Sequence, residues 1–501
     1  MFNFTESCQT MSFNFAKSFF ESCQKYPNHP AIITKGKQLS YKELFFEVSK
    51  VYRFLVANKV QDSIIGIYAK TDLQNAIGLL AIAAYGSAYL PLNPKFAVKR
   101  NQYIVENSGL NCILVFEDVS HFGEKTLRMT DCIPERETMH LTPVVEQELA
   151  YVLYTSGSTG VPKGVPVSKE NVEALFNFFL TNYNFSEKDR FIQTFDWTFD
   201  ISVLAFFFPL MVGASISFLP KEGLKFLQIL DILQKQEITA AFLVPSVAAL
   251  SKKYLPEIVL PKLKYCFFAG EALSHDLMEI WQKSCPNCQI ENHYGLTETA
   301  VYITRYVWHK THSAKEAFNG IVPIGKLYPG TKMLILDKNN QSCKVGEIGE
   351  LCLSGKQVVT QYINNDFTER FFNKNRNGER LVFFRTGDLV KLNDSNEMLY
   401  IGRNDEQIQL QGHRVELKEI AFYLQKITER LCTVIAKKDV NGNLFLVAFV
   451  EQNEQTEKDI LSVLAENINQ YMLPKKIVFV KKMPLNQNEK IDKAALQKLN
   501  V

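Results

Sequence analysis

The sequence predicts an α/β fold, with a large N-terminal domain of several sheets and a small, mobile C-terminal α+β domain. Helical and extended patterns alternate from Phe13 to about Gln147, and such alternation implies crossover units around a mostly parallel sheet. Near residue 403 a polar stretch without helical or strand period precedes a shorter strand-helix-strand pattern. We therefore predict two domains, residues 1–403 and 404–501.

The first part of the chain contains well-marked elements. Helices are predicted over 16–26 and 40–57, and the second opens with a capping box formed by Ser40 and Glu43. The most apolar stretch, 76–92, is interrupted by glycine and falls short of a membrane span, so it predicts a buried helix and strand.

The pattern continues beyond residue 150. A helix is predicted over 168–182, and strand, helix and strand follow over 240–269. In the small domain, helices are predicted over 414–430 and 458–470, with an extended segment over 444–451.

Composition limits the kinds of partner. A net charge of +3 on 501 residues gives no reason to expect nucleic acid binding or membrane insertion. Ten scattered cysteines and the absence of a signal-like N-terminus suit a reducing, cytoplasmic location. The close pair Cys285 and Cys288 lacks the second ligand pair of a zinc site, which favours ordinary free thiols.

The segment YTSGSTGVPKG, residues 154–164, has the composition of a phosphate-binding loop. Its glycines let backbone N–H groups converge, its hydroxyls add donors, and Lys163 adds a positive charge. The spacing matches neither the P-loop pattern nor the dinucleotide fingerprint. A flexible surface turn is the alternative that composition alone leaves open.

The same loop resembles that of the adenylate-forming enzymes, which include acyl-CoA synthetases, adenylation domains of non-ribosomal peptide synthetases and D-alanine:D-alanyl carrier protein ligases. Further blocks resemble this family in order along nearly the whole chain: FDIS (199–202), ENHYGLTE (291–298), FRTGD (384–388), the block at 401–420 and MPLNQNEKID (483–492). The sequence departs from the usual pattern at Leu296, where proline is common, and at Glu489, where glycine is common.

The resemblance implies two half-reactions. A carboxylate attacks the α-phosphate of ATP to give an acyl-AMP and pyrophosphate, and a thiol then takes the acyl group. Catalysis is expected from Lys490, Lys163 and a Mg²⁺ ion on Glu298, which together stabilise an anionic transition state without a side-chain nucleophile. Asp405 is the expected pivot on which the small domain rotates between the two steps.

The resemblance also implies an ATP site. Tyr294 is expected beside the adenine ring, Asp388 on the ribose hydroxyls, and Arg403 on ribose or phosphate. The full set of expected ATP contacts is Thr155, Ser156, Gly157, Ser158, Thr159, Gly160, Lys163, Gly270, Glu271, Asn292, His293, Tyr294, Gly295, Thr297, Asp388, Arg403 and Lys490.

Asp200 has two interpretations. Its residue type and position favour an N-cap for a helix that begins at Ile201. In amino-acid-activating relatives, however, the aspartate of this block receives the substrate ammonium. The implied pocket lining is Asp200, Ile201, Leu204, Phe242, Phe267, Ala269, His293, Val301 and Tyr302.

The bulk of the aromatic residues in this lining predicts a small amino acid as substrate, and His293 and Tyr302 could hydrogen-bond a polar side chain. The chain continues for only eleven residues beyond Lys490, so we expect the phosphopantetheine-bearing carrier to be a separate protein. The competing functions are an acyl-CoA synthetase for a fatty or aryl acid, which a buried Asp200 carboxylate disfavours, and a non-catalytic adenylate-binding module.

Overall fold

The computed structural model describes residues 15–129, 141–157, 161–365, 368–376, 378–405, 407–410, 412–439, 444–452, 454–485 and 491–499. The helices are α1 (Phe15–Lys25), α2 (Tyr41–Ala57), α3 (Asp72–Tyr85), α4 (Val98–Asn107), α5 (Lys169–Asn182), α6 (Ile201–Met211), α7 (Lys225–Lys235), α8 (Pro245–Ser251), α9 (His275–Ser284), α10 (Lys310–Glu316), α11 (Leu417–Thr428), α12 (Glu457–Ala465) and α13 (Lys493–Gln497).

The strands of the first half are β1 (Pro30–Thr34), β2 (Lys37–Ser40), β3 (Ile64–Tyr68), β4 (Ala88–Leu92), β5 (Ile113–Val115), β6 (Thr126–Arg128), β7 (Leu149–Thr155), β8 (Lys163–Ser168), β9 (Arg190–Gln193), β10 (Ser215–Phe218), β11 (Ala240–Leu243) and β12 (Tyr265–Phe268). Those that follow are β13 (Gln289–Tyr294), β14 (Thr304–Val307), β15 (Lys326–Leu327), β16 (Lys332–Leu336), β17 (Gly349–Ser354), β18 (Phe371–Arg376), β19 (Glu379–Leu392), β20 (Met398–Arg403), β21 (Gln407–Leu410), β22 (His413–Glu416), β23 (Cys432–Lys438), β24 (Leu444–Glu451) and β25 (Lys476–Val480).

Three sheets form the part of the described chain that ends at Arg403. A nine-stranded sheet has the spatial order β15-β14-β13-β12-β11-β9-β10-β1-β2, and a six-stranded sheet has the order β6-β5-β3-β4-β7-β8. A five-stranded sheet runs β16-β17-β19-β18, with β20 paired to β19. Helix α3 packs on β3 and β4, α6 packs on β9 and β10, and α1 contacts both helices, which joins the two larger sheets through one core.

The strands after Arg403 form two small sheets. Strands β21 and β22 make an antiparallel hairpin, and β23, β24 and β25 form a three-stranded sheet. Helices α11 and α12 pack together beside this sheet around a separate hydrophobic cluster. The chain is therefore a mixed α/β structure with a larger N-terminal and a smaller C-terminal part, as predicted; the boundary at residue 403 stays a prediction.

Most predicted elements are present. Segment 16–26 is α1, 40–57 is α2 with the Ser40 capping box, and 76–92 is the end of α3 followed by β4. The prediction of a helix from residue 414 is wrong at its start, because His413–Glu416 pairs with Gln407–Leu410 as a strand and the helix begins at Leu417.

The parallel strands β9, β11, β12 and β13 are buried on both faces and end at one edge of the nine-stranded sheet. Loops that leave the carboxyl ends of such strands are the usual location of a ligand site in α/β proteins. Strand β7 of the six-stranded sheet and strand β20 of the five-stranded sheet end beside the same edge, as the contacts given below show.

The structure also bears on thiols, metal ligands and membrane-spanning helices. Cys285 and Cys288 are buried free thiols, and no group of three or more metal-ligating side chains is found among the described residues. Within the same ranges, no helix combines the length and the hydropathy that crossing a membrane requires.

Candidate active site

A cavity of about 90 Å³ lies where these loops meet the β21–β22 hairpin. Predicted site residues on its wall are Thr155, Ser156, Asp200, Ile201, Ala269, Gly270, Gly295, Thr297, Val301 and Tyr302. The wall also includes residues to which the sequence patterns assign no role, among them Phe96, Arg100, Leu296, Gln409, Gly412, Arg414 and Tyr471. The cavity therefore has walls from both the large and the small part of the chain.

Four residues predicted to line the substrate pocket are not part of the described cavity wall: Leu204, Phe242, Phe267 and His293. They are buried behind it, where His293 stacks on Tyr302 with 5.0 Å between ring centroids. In this structure these side chains do not line the cavity, and their contact with the substrate stays a prediction.

The hydrogen bonds of His293 also argue against a direct contact with substrate or ATP. Its Nδ1 lies 2.6 Å from the Tyr328 hydroxyl and its Nε2 lies 2.9 Å from Glu291 Oε2. Glu291 also accepts two hydrogen bonds from Arg305, and together these neighbours lower its pKa to about 2 against the effect of burial. Both ring nitrogens of His293 are thus engaged in a buried structural network.

Asp200 lies on the cavity wall at the start of α6. Its side chain makes no capping hydrogen bond to the helix, so the N-cap interpretation does not account for the carboxylate. Burial raises the pKa of Asp200 to about 6, although the Thr297 hydroxyl and the Ile201 amide oppose that shift. No ion-pair partner for Asp200 occurs in the part of the chain that the structure describes. This carboxylate would be stabilised by a cation in the cavity.

The part of the cavity wall that contains Val301 has an unusual backbone. Val301 has a φ of 78°, which is strained for a β-branched residue, and the preceding Ala300 also has positive φ. The loop is held by Gln357, whose amide donates to the carbonyls of Thr299 and Tyr302. Gly295 packs so closely that a Cβ there would lie 2.0 Å from the Val301 carbonyl oxygen. Any larger residue at position 295 would clash with the loop, so this position requires glycine.

Glu298 is the centre of a buried charge cluster. Its Oε1 accepts a hydrogen bond from Tyr362 at 2.6 Å and lies 3.6 Å from Lys163 Nζ, and its Oε2 accepts from Arg414 Nη1 at 2.9 Å. Burial alone would raise the pKa of Glu298, but Arg414 and Lys163 hold it well below its usual range. Burial lowers the pKa of Lys163 to about 8 against the attraction of Glu298. The carboxylate is ionised and already neutralised by protein cations.

The Mg²⁺ site expected at Glu298 has one carboxylate. That donor set fits Mg²⁺, which proteins commonly hold through one or two carboxylates together with substrate phosphates and water. Thr155 adds a buried hydroxyl that has no hydrogen-bond partner among the described residues. If Mg²⁺ binds here, Glu298 and Thr155 would hold it together with a bound nucleotide.

Arg414 is a site residue that the sequence analysis missed. It follows the tip of the hairpin, and its carbonyl accepts a hydrogen bond from Ser156 Oγ at 2.7 Å. Its Nε and Nη2 are buried without a partner within the described chain. Two unpaired donors of a guanidinium at a cavity wall suit an anionic ligand. The polar sequence around Arg414 predicts an interdomain connection, and that pattern contains no signal for a ligand contact.

The expected ribose site is formed by three side chains. Asp388 accepts from the Tyr294 hydroxyl at 2.6 Å and from Arg403 Nη1 at 2.6 Å. Burial raises the pKa of Asp388 and Arg403 opposes that shift. Arg403 also donates to Asp405 through Nε at 2.7 Å and Nη2 at 2.9 Å. The predicted ribose residue and the predicted pivot are thus joined through one arginine.

Other predicted ATP contacts have structural partners. Glu271 accepts from the backbone amides of Ser246 at 2.7 Å and of Gly412 at 2.6 Å, which ties the hairpin to the large domain. The side-chain amide of Asn292 donates to the Pro323 carbonyl at 2.9 Å. Gly157 lies at the start of the phosphate loop. Predicted residues that lie outside the described residues are Ser158, Thr159, Gly160 and Lys490.

Two protein-family models together match most of the chain. A model described as AMP-binding enzyme matches residues 19–363, and a model described as AMP-binding enzyme C-terminal domain matches residues 429–490. Tyrocidine synthase 1 of Brevibacillus parabrevis is 32% identical over 498 residues, covering 95% of this chain and 44% of that protein. Gramicidin S synthase 2 of Brevibacillus brevis is 33% identical over 496 residues, covering 96% of this chain and 11% of that protein. The chain spans less than half the length of these relatives.

Solved structures show the same fold. The Vibrio cholerae adenylation domain AlmE, in complex with glycyl-adenosine-5'-phosphate, superposes with a TM-score of 0.85 at 25% identity and covers 99% of this chain and 98% of that one. PA1221, an NRPS protein containing adenylation and PCP domains, superposes with a TM-score of 0.84 at 21% identity and covers 97% of this chain and 84% of that one.

Proposed function

The chain belongs to the AMP-binding enzyme family of adenylate-forming ligases, and we propose that it activates a small amino acid with ATP and passes it to the phosphopantetheine thiol of a separate carrier protein. In the first half-reaction the amino acid carboxylate attacks the α-phosphate, which gives an aminoacyl-AMP and releases pyrophosphate. In the second, the carrier thiolate attacks the acyl carbon and AMP leaves.

The position of Asp200 is the observation that carries this proposal. A carboxylate on a cavity wall, with its pKa raised to about 6 by burial and no ion-pair partner among the described residues, is complementary to an ammonium group. A fatty or aryl acid would bring only apolar groups to the same point, and the buried charge would then remain uncompensated. The geometry favours an amino acid over those acids.

The small volume of the cavity supports the proposal of a small substrate. A volume of about 90 Å³ is far below the several hundred Å³ that are usual for drug-sized ligands. Ile201, Val301 and Tyr302 close the cavity around Asp200. The Tyr302 hydroxyl is buried without a hydrogen-bond partner among the described residues, which favours a substrate with a polar group, such as serine, over its apolar isostere. Glycine, alanine and β-alanine fit the same volume.

The nucleotide-binding groups support an ATP-dependent reaction. Asp388 suits the ribose and Tyr294 suits the adenine ring, and Arg414 with Lys163 suits the α-phosphate and the phosphates beyond it. A Mg²⁺ ion bound by Glu298 and the phosphates would supply charge stabilisation. Lys490, which follows the predicted pivot, would contribute a further positive charge in the first half-reaction.

A separate carrier is consistent with how the relatives are organised. PA1221 contains adenylation and PCP domains in one protein, whereas a solved adenylation-PCP di-domain from Klebsiella oxytoca was fused artificially. We propose that the carrier of this protein lies on another chain. We also propose that the protein acts in the cytoplasm, where ATP and reduced thiols are available.

The test is amino-acid-dependent ATP–pyrophosphate exchange across all proteinogenic amino acids, both alanine enantiomers and β-alanine. We expect exchange with small amino acids and little with phenylalanine or leucine. An Asp200→Ala variant should lose exchange with every amino acid and keep its affinity for ATP. Preference for a large side chain or for a fatty acid would contradict the proposal.

A further inference from the structure

A buried glutamine behind the cavity holds a turn that forms part of the cavity wall. Gln357 follows β17 and is 3% exposed. Its side-chain amide donates to the backbone carbonyls of Thr299 at 3.1 Å, of Ala300 at 3.4 Å and of Tyr302. One side chain from a distant part of the sequence thus binds three carbonyl groups of the 299–302 turn.

The 299–302 turn has a strained backbone. Ala300 and Val301 have φ values of 48° and 78°, a region that residues with a β-carbon rarely adopt and that persists only where neighbouring contacts enforce it. All four residues of the turn are buried, and a buried carbonyl without a donor is costly. Removal of the Gln357 amide should therefore favour a relaxed backbone in which these carbonyls find other partners.

The turn determines the position of two side chains that line the cavity, Val301 and Tyr302. Because Val301 itself has a positive φ, a change in that angle would move its side chain relative to the cavity. The Tyr302 ring is stacked on His293, with 5.0 Å between centroids, whereas the Tyr302 backbone is held by Gln357. The shape of the wall thus depends on a residue that does not line the cavity.

The segment 357–362 also contacts Glu298, but through different groups. The backbone amide of Val359 donates to the Glu298 carbonyl at 2.9 Å, and the Tyr362 hydroxyl donates to Glu298 Oε1 at 2.6 Å. The segment therefore supports the cavity wall through Gln357 and the buried carboxylate through Tyr362. Since the two contacts come from different side chains, each can be removed without the other.

We propose that Gln357 is a positioning residue that sets which amino acids the protein accepts, because its amide keeps the 299–302 turn in the strained conformation that places Val301 and Tyr302 on the cavity wall. This inference deepens the proposed function and rests on it for the substrate. Loss of the amide should act on discrimination among amino acids and not on the nucleotide, since Gln357 contacts the wall of the amino acid cavity and none of the predicted ATP contacts.

The experiment is ATP–pyrophosphate exchange of the full chain with glycine, alanine, serine and valine, using Gln357→Met as the main variant. Methionine has nearly the same length as glutamine and no donor. We expect the KM for the preferred small amino acid to rise roughly tenfold and the preference for it over valine to fall by a similar factor, because a relaxed wall excludes the extra methyl groups less well. The KM for ATP should stay within about twofold of the wild-type value.

Gln357→Asn is a milder second variant, because it keeps the amide and withdraws it by one methylene group. It should shift the same preference in the same direction by a smaller factor. If Gln357→Met does not fold, as chemical denaturation would show, Gln357→Asn decides the question by the same ratio.

Two control variants separate this role from a general loss of packing. Gln282→Met removes an amide that also donates to two loop carbonyls, those of Cys285 at 2.6 Å and Cys288 at 3.2 Å, and that loop contributes nothing to the described cavity wall. This control should change neither KM. Tyr362→Phe removes the contact with Glu298, so it should raise the KM for ATP and leave the preference among amino acids unchanged.

Unchanged preference in the Gln357 variants would overturn the proposal, and so would an equal change of preference in Gln282→Met or Tyr362→Phe. The wild-type protein tests the underlying function separately. If it shows no exchange with any amino acid, the proposed function is refuted and this inference with it, whereas wild-type exchange with an unaffected Gln357→Met refutes the inference alone.

Discussion

At the scale of single residues, the chemistry of the cavity depends on one carboxylate. Asp200 is buried enough for its pKa to rise to about 6, yet it lies on the cavity wall. A carboxylate in this state gains more from an ammonium partner than an exposed one, since little water competes for it. The position of Asp200 therefore links substrate recognition to pH.

The pH dependence of substrate affinity tests this link. A raised pKa means that Asp200 is protonated below about pH 6 and ionised above it, and only the ionised form attracts the ammonium. We expect the KM for the amino acid to be constant above pH 7 and to rise by roughly tenfold for each pH unit well below 6. The KM for ATP should show no break there.

Asp200→Asn is the matched variant for that profile, because asparagine keeps the shape and removes the charge. Its KM for the amino acid should be high at every pH and should not change between pH 5 and 7. A break near pH 6 that persists in this variant would assign the titration to another group.

The surroundings of Phe267 bear on its predicted role in the substrate pocket. It is fully buried and its ring lies 4.9 Å from Phe242, 5.1 Å from Tyr183 and 5.5 Å from His293, measured between centroids. We expect Phe267→Ala to lower the free energy of unfolding by about 3–5 kcal/mol, as usual for a large aromatic removed from a core. Chemical denaturation would measure this loss.

Substrate range distinguishes Phe267 from a true wall residue. Phe267→Ala should leave the preference among amino acids unchanged, since its ring does not line the cavity. Ile201→Ala, which does widen the cavity wall, should admit larger side chains such as valine. Broadened acceptance in Phe267→Ala with little loss of stability would place its ring in the pocket after all.

At the scale of elements, the β21–β22 hairpin brings the small domain into the site. Its tip is packed by His413, which stacks on Tyr471 with 3.9 Å between centroids and meets Phe199 edge to face. Burial lowers the pKa of His413 to about 4, so the ring is neutral and packs as an aromatic group. The hairpin begins two residues after Asp405, so rotation about that residue would withdraw it from the cavity.

Asp405→Pro tests whether this residue is the pivot. Proline restricts φ to about −65°, so a residue that changes its backbone angles between two domain positions would be locked in one of them. We expect one half-reaction to keep its rate and the other to fall roughly a hundredfold, the equivalent of about 2.7 kcal/mol in its barrier. The two half-reactions would be measured separately.

The control for Asp405→Pro is Asp405→Ala, because the carboxylate has its own contacts. Arg403 and Arg370 both bind it and hold its pKa well below the usual range. Alanine removes these contacts and leaves the backbone free, so both half-reactions should continue. Loss of the same half-reaction in both variants would show that the ion pairs matter and the backbone angle does not.

Sequence patterns predicted elements well where periodicity is strong. Helices such as α2, with its capping box, and buried strands such as β12 have local signals that tertiary contacts reinforce. The β21–β22 hairpin lacked such a signal, because its residues are mostly polar and its pairing depends on burial against the large domain. The orientation of Phe242 and His293 could not be predicted either, since a strand residue faces the cavity or the core according to the register of its sheet.

At the scale of the whole molecule, the two parts of the chain meet through charged and polar contacts. Arg100 pairs with Glu419, Ser156 donates to the Arg414 carbonyl, and Gly412 donates to Glu271. These contacts place the hairpin against the described site. Motif order predicted the residues of each domain, but the relative position of the domains depends on contacts between residues distant in sequence.

Lys490→Ala tests whether adenylation and transfer take place in different domain positions. Loss of its charge should slow adenylation by roughly 10²–10³-fold, the usual cost of removing a group that stabilises a transition-state anion. Transfer from preformed aminoacyl-AMP should stay within a few-fold of the wild-type rate, because the hairpin and not Lys490 would face the site during that step. Equal losses in the two half-reactions would contradict this division.

The measurement that tests the central claim most directly compares each preferred amino acid with the same acid lacking its amino group, for example alanine with propionate, in ATP–pyrophosphate exchange. The Asp200 carboxylate should make exchange depend on the ammonium, so wild-type protein should exchange with the amino acid and show almost no exchange with the analogue. Comparable exchange with both compounds would contradict the claim that this protein selects amino acids through Asp200.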